Sequence, residues 1–240
     1  MPSIGTVVAI PIVNIFGFLN NERYLPDRKD LNRSFPGKGN GSLASRIAYT
    51  LMTEIVPLID LGVDFHTGGA SRSNFPQIRC QFSNPKNMEL AKAFSPPMII
   101  DSKQLPGSFR RESFKKGKNI LVFEGGESLR FDNYSINQGI KGVKRLMAYL
   151  GMKKYKSSKK RKVPIILNTS TWVRARISGL FRSFVDYGEF VKKGQTIATL
   201  TDPYGETELS VKVKKDGYII GINKLPIVNK GDAVVHLGIV

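Results

Sequence analysis

Histidine is almost missing from this sequence of 240 residues: His66 and His236 are the two present. A metal centre built from several histidines is therefore excluded, and any metal or catalytic role for His66 needs partners of another type. Cysteine is scarcer still. The single Cys80 excludes an internal disulfide and any cysteine-rich zinc finger. Long apolar runs are also lacking, so no segment reads as a membrane span. The opening MPSIGTVVAIPIVN has neither the basic start nor the small-residue cleavage site of a signal peptide, and a reducing, cytoplasmic setting is the expectation. Acidic residues are half as many as basic ones, 19 against 37, for a formal net charge of +18. Seven of the basic residues lie in KKYKSSKKRK, residues 153–162, a run without apolar periodicity that reads as a linker. The others are scattered, with no zinc-finger spacing, RNA-binding aromatic signature or helix-turn-helix pattern. No dedicated nucleic-acid partner and no membrane partner is expected, only the nonspecific attraction to polyanions that follows from charge.

What is present divides in two. Up to about Leu150 short apolar runs alternate with helical patterns, the rhythm of an α/β domain. GTVVAIPIVN, DLGVDF and NILVFEGG read as strands. SLASRIAYTLMTEIVPLI reads as a helix capped by Ser42, and NPKNMELAKAF and SINQGIKGVKRLMAYL as two more. After the basic run β-branched residues and glycine turns take over. FVKKGQTIATL (Phe190 to Leu200) and IVNKGDAVVHL (Ile227 to Leu237) form a degenerate repeat 37 residues apart. Two such units predict a small all-β barrel-sandwich domain, in which His236 is a packed strand residue. That repeat resembles the biotinyl and lipoyl carrier modules. The connecting segment TDPYGETELSVKVKKDG lacks the context of a modified lysine, so a structural or site-covering module is expected.

Four pieces of the first part carry groups that bind anions or move protons: NNERYLPDRKDLNRSFPG, VDFHTGG, GSFRRES and VFEGGESLRFD. In DLGVDFHTGG an apolar run delivers His66 to a glycine loop, and Asp64, two residues earlier, shares its face of the strand. Glu124 follows the apolar run NILVF directly and precedes two glycines, where a buried strand meets a loop.

Together DLNRSFPG, D-x-H-T-G and E-x-G, in this order and spacing, resemble the succinylglutamate desuccinylase and aspartoacylase family, a branch of the zinc carboxypeptidase fold. The resemblance implies a mixed sheet flanked by helices and hydrolysis of an acyl-amide bond, or of an ester, in a small carboxylate-bearing substrate. It implies a zinc cofactor with His66 as a metal ligand. Glu124 would be the general base and acid, and Arg23 would stabilise the oxyanion. Asn32, Arg33 and Arg110 would hold a substrate carboxylate, with Asp30 orienting their loop and Asp64 supporting His66 or serving as a weak ligand. In this family the first two zinc ligands come from a His-x-x-Glu motif upstream of the strand equivalent to GTVVAIPIVN. No such motif stands ahead of it here, and the expectation is an N-terminally incomplete enzyme. The boundaries that follow are an α/β zinc-hydrolase domain over residues 1–152, a basic linker over 153–164 and the β domain over 165–240. The alternative is a catalytically inactive member that binds anions or protein, and homo-oligomerisation stays open.

Overall fold

The computed structural model describes residues 2–69, 71–155 and 163–240; most of the expected linker, residues 156–162, lies outside them. Five α-helices and thirteen strands are assigned among the described residues. Helices α1 (Ile15–Asn20) and α2 (Leu43–Thr50) precede strands β1 (Leu61–Gly68) and β2 (Arg72–Cys80). Helix α3 (Pro85–Phe94), strand β3 (Met98–Asp101), helix α4 (Phe109–Lys115), strand β4 (Asn119–Glu127) and helix α5 (Asn133–Tyr149) complete the α/β part. Only strands follow: β5 (Ile165–Leu167), β6 (Thr169–Arg174), β7 (Gly179–Ser183), β8 (Phe190–Val191) and β9 (Thr196–Thr201). Then come β10 (Glu208–Lys212), β11 (Gly217–Asn223), β12 (Ile227–Val228) and β13 (Ala233–Ile239).

Nine of these strands form one mixed sheet, with the order β1-β4-β2-β11-β13-β6 along its main path. β2 is its hub. One edge pairs antiparallel with β4; on the other, Arg72 to Asn74 pair with β11 and Gln77 to Cys80 with β3. The register shifts between Asn74 and Gln77, and Pro76, which has no N–H to give to a ladder, falls inside that interruption. The remaining strands form a second sheet, β10-β9-β7-β12.

Sheet pairing thus crosses the boundary expected between an α/β part and a β part, because β5 pairs with β3 and β11 with β2. The C-terminal strands nonetheless share an apolar core of their own, including Val191, Ile197, Leu200, Ile219, Val235 and Leu237. The two repeats adopt one local form, a short strand, a turn through Gly194 or Gly231, and a longer strand.

Helices α3 and α5 cover one face of the α/β part, where Ile78, Leu90, Phe94, Leu121, Phe123 and Leu146 are buried together. The Cβ of any residue replacing Gly142 on α5 would lie 2.1 Å from Phe94, so the missing side chain lets that helix approach. Helix α2 runs on through a π turn (Leu51–Ile55) and a 3-10 turn (Val56–Leu58), as the apolar spacing predicts. Its cap differs from expectation. Ser42 stands at the N-cap position without a side-chain cap bond, and the Asp27 carboxylate accepts the Ala44 N–H at 2.9 Å instead.

The strand expected over GTVVAIPIVN is not formed. Residues 6–14 have no regular secondary structure, and Val7, Val8, Ile10, Ile12 and Val13 are exposed. A β-rich sequence becomes a strand only where a partner strand accepts its ladder, and no described strand does so.

Candidate active site

The chemistry-bearing residues gather on the face of the large sheet opposite α3 and α5. Cross-strand partners share a face, so the register itself builds a polar row. His66 on β1 stands beside Glu124 on β4 in a parallel ladder, and Gln77 on β2 is the antiparallel partner of Glu124. Across the register shift, Asn74 pairs with Gly221 on β11, Gly221 with His236 on β13, and His236 with Trp172 on β6.

Glu124 lies at the centre, its side chain 16% exposed. Asn74 donates its Nδ2 to Glu124 Oε2 at 2.8 Å, and Arg79 Nη1 stands 3.6 Å from Oε1. The carboxylate is thus oriented by an amide and faced by a guanidinium. The amide is itself backed by a glycine: a Cβ at Gly221 would fall 2.5 Å from Asn74 Oδ1. A larger residue there would displace the group that aims Glu124.

His66 Nε2 bonds the Asp64 carboxylate at 2.8 Å, as their shared strand face predicts. Burial opposes a charged imidazole at this position. The hydrogen bond and charge of Asp64, with Glu124 beyond, outweigh it and raise the pKa of His66 above the ordinary value, while Arg23 works against them. Arg23 is held by Asp30 through Nε and Nη2, at 3.1 and 2.8 Å. Its Nη1 would lie 3.7 Å from a Cβ at Gly69, in the loop that follows His66. The structure therefore brings Arg23, His66 and Glu124 together.

The other anticipated anion-binding residues are engaged differently. Asn32 Oδ1 accepts the Phe109 N–H at 2.9 Å, and Arg33 Nη1 donates to the Asn32 carbonyl. Asn32 thus ties its loop to the start of α4, while the Arg33 side chain lies outside in solvent. Arg110 is 8% exposed. It donates to the carbonyls of Arg79, Ser102 and Lys103 and to Ser102 Oγ, so its fork is occupied by the protein's own oxygens. Asn74, Gln77 and Arg79 escape a sequence reading, because SRSNFPQIRC shows no apolar alternation and contains a proline. His236 is buried on its strand, with Nε2 2.9 Å from Ser170 Oγ, as expected of a packed residue.

A zinc site with an exchangeable water needs three protein ligands. Among the described residues no three His, Cys, Asp or Glu side chains converge in a way that could hold a metal ion. One imidazole whose Nε2 is already bonded to Asp64 does not meet that requirement.

A large mixed sheet flanked by helices, with a glutamate and a histidine in register on adjacent strands, defines an α/β protein. The sequence model of the succinylglutamate desuccinylase/aspartoacylase catalytic domain matches residues 3–150, and the chain belongs to that family. Its relatives are deacylases, hydrolases of acyl-amide bonds. The N-alpha-acetyl-L-2,4-diaminobutyric acid deacetylase of Halomonas elongata is 26% identical over 246 residues, covering 96% of this chain and 71% of that protein. The product-bound ectoine utilization protein EutE (DoeB) of Ruegeria pomeroyi has the same fold, with a TM-score of 0.86 at 24% identity, over 96% of this chain and 74% of that one. A succinylglutamate desuccinylase/aspartoacylase from Rhodobacter sphaeroides superposes with a TM-score of 0.85 at 23% identity, over the same shares of the two chains. None of the described helices is long and apolar enough to cross a membrane.

Proposed function

We propose that this protein is a cytoplasmic hydrolase that cleaves the acyl-amide bond, or an ester, of a small carboxylate-bearing substrate. The observation that carries the reading is the register of His66 with Glu124, the latter held by Asn74 and faced by Arg79. Glu124 takes the proton of the attacking water and passes it to the leaving nitrogen, for which a carboxylate held in one orientation is suited. Arg23, fixed by two bonds to Asp30, keeps Nη1 for the oxyanion that forms as water adds to the carbonyl. Arg33, exposed at the end of its loop, receives a substrate carboxylate, and Asn32 fixes that loop against α4. Arg110 holds α4 to the β2–β3 end through backbone carbonyls instead of meeting substrate.

Zinc dependence belongs to this reading through His66; no three donor side chains converge among the described residues, and a competent centre needs further ligands. That shortfall favours a second reading, in which the chain binds anions or a protein without turnover. The division into a hydrolase part over residues 1–152 and a β part over 165–240 is proposed as well, on the strength of the separate C-terminal core.

The test is release of free amine from a panel of N-acetyl and N-succinyl amino acids, with and without added zinc. Hydrolysis by the 240-residue chain that falls about 10²–10⁴-fold in Glu124→Gln supports the proposal. Hydrolysis unaffected by that change would show that the base lies elsewhere. No hydrolysis even by a chain extended at its N-terminus with a His-x-x-Glu segment would leave the binding reading in its place.

A further inference from the structure

Glu124 divides the polar row. On one side is β1 with His66; on the other are β2, β11, β13 and β6, where Asn74 and Arg79 support Glu124 and no residue has yet been assigned to meet a substrate. That second flank holds two guanidinium groups. Arg79 faces Glu124 at 3.6 Å, too far for a hydrogen bond, and Arg72 lies 5.3 Å from the centre of the Trp172 ring. Trp172 stacks on His236 with centroids 4.3 Å apart and planes 9° from parallel. Trp172 thus lies between Arg72 and His236, and both arginines act electrostatically on that imidazole.

This flank also concentrates polar groups without partners. Gln77 is fully buried, and neither end of its amide has a hydrogen-bond partner among the described residues. The same is true of Arg72 Nε, Arg79 Nε and His236 Nδ1, and His236 is only 6% exposed. Buried donors and acceptors left unmatched are costly, and their clustering on one side of a reactive carboxylate marks a place built to receive a polar group. The charge balance gives its sign. Two guanidinium ions stand against one carboxylate, and burial together with the two arginines drives the pKa of His236 to about 3, so the imidazole is neutral near pH 7. Stacking on Trp172 orients the Arg72 fork, and a planar fork matches a carboxylate.

We propose that Arg72, Gln77 and Arg79, backed by Trp172 and His236, form a carboxylate-binding subsite on the side of Glu124 away from His66. That the bound carboxylate belongs to the substrate rests on the hydrolase reading; the binding itself does not. A molecule seated there has its carboxylate on the β2–β6 flank and its scissile bond towards Glu124, which selects substrates carrying an acid group at that end.

Trp172 is the only tryptophan in the chain, so its fluorescence reports on this subsite alone. The full chain is titrated with succinate, and in parallel with neutral succinamide, at ionic strength held constant with sodium chloride. The expected result is a saturable change with succinate and none with succinamide. Arg72→Gln and Arg79→Gln each weaken succinate binding about tenfold or more. The charge-retaining Arg79→Lys weakens it less, and Arg46→Gln, on the exposed face of α2, leaves it unchanged. Far-ultraviolet circular dichroism of each variant separates lost binding from lost fold. An absent succinate response, an equal response to succinamide, or wild-type affinity in folded Arg72→Gln and Arg79→Gln would overturn the subsite. Glu124→Gln is expected to keep succinate binding, so a failure of hydrolysis and a failure of this subsite are read separately.

Discussion

At the scale of single residues the site depends on support that no motif advertises. Asn74 donates to Glu124, the carboxylate proposed as the base, and has its own oxygen against Gly221. Asn74→Ala should therefore lower kcat about tenfold with little change in KM, the expected loss of one hydrogen bond to a charged group in the proton-transfer step. Steady-state kinetics on any substrate that the chain turns over would check this; a change in KM alone would place Asn74 in binding. His236 supports a prediction of another kind. Its folded pKa is about 3 against an ordinary 6.5, so between those values the unfolded chain holds a proton that the folded chain excludes. Stability is whole above pH 6.5 and falls as pH drops towards 3, by at most a few kcal/mol. Urea midpoints at pH 7 and pH 4.5 should differ more for the wild type than for His236→Gln. His66 and Glu124 were readable in the sequence because apolar runs end on them. Asn74, Gln77 and Arg79 were hidden because their strand, RSNFPQIRC, mixes polar residues with a proline and has no sustained apolar run.

At the scale of elements, the helical patterns and the strands carrying His66 and Glu124 are found where apolar spacing puts them. The misses have physical causes. β2 was overlooked because it combines a polar face with Pro76, while 6–14 has strand composition and no partner. The start of α2 shows how a local rule is overridden. Serine ahead of an apolar repeat signals a cap, yet the carboxylate of Asp27, 17 residues earlier in the chain, reaches the Ala44 N–H and replaces it. Asp27→Ala should cost about 1 kcal/mol of stability and Ser42→Ala much less, measured by chemical denaturation. Equal losses would mean that Ser42 caps the helix in solution.

At the scale of the whole molecule, the β-rich end is joined to the α/β end by more than the chain. β5 extends β3, β11 extends β2, and Tyr187 donates to the Asp132 carboxylate at 2.9 Å, where that carboxylate also caps α5. Phe75 on β2 packs against both Tyr134 and Tyr187. The repeat in the C-terminal half was visible in the sequence, because matched residues at a fixed spacing survive divergence. Its merger with the larger sheet was not, since strand pairing between remote segments leaves no periodic trace. Burial and Asp132 push the pKa of the Tyr187 phenol up to about 12, so it serves as a donor throughout the physiological range, and Tyr187→Phe would remove this one bond of the junction.

The pairing of Asn74 with Gly221 also sets a timetable. The two residues are 147 positions apart (221 minus 74), so on a ribosome β2 waits with half of one edge open until β11 has been synthesised. Chains stopped at residue 215 should keep DLNRSFPG, D-x-H-T-G and E-x-G and yet lose any turnover that residues 1–240 show, with Glu124 mis-set for want of a neighbour two strands away. Adding the peptide 216–240 in trans and recovering turnover would show that Glu124 is set in place only once residues far along the chain have paired with β2.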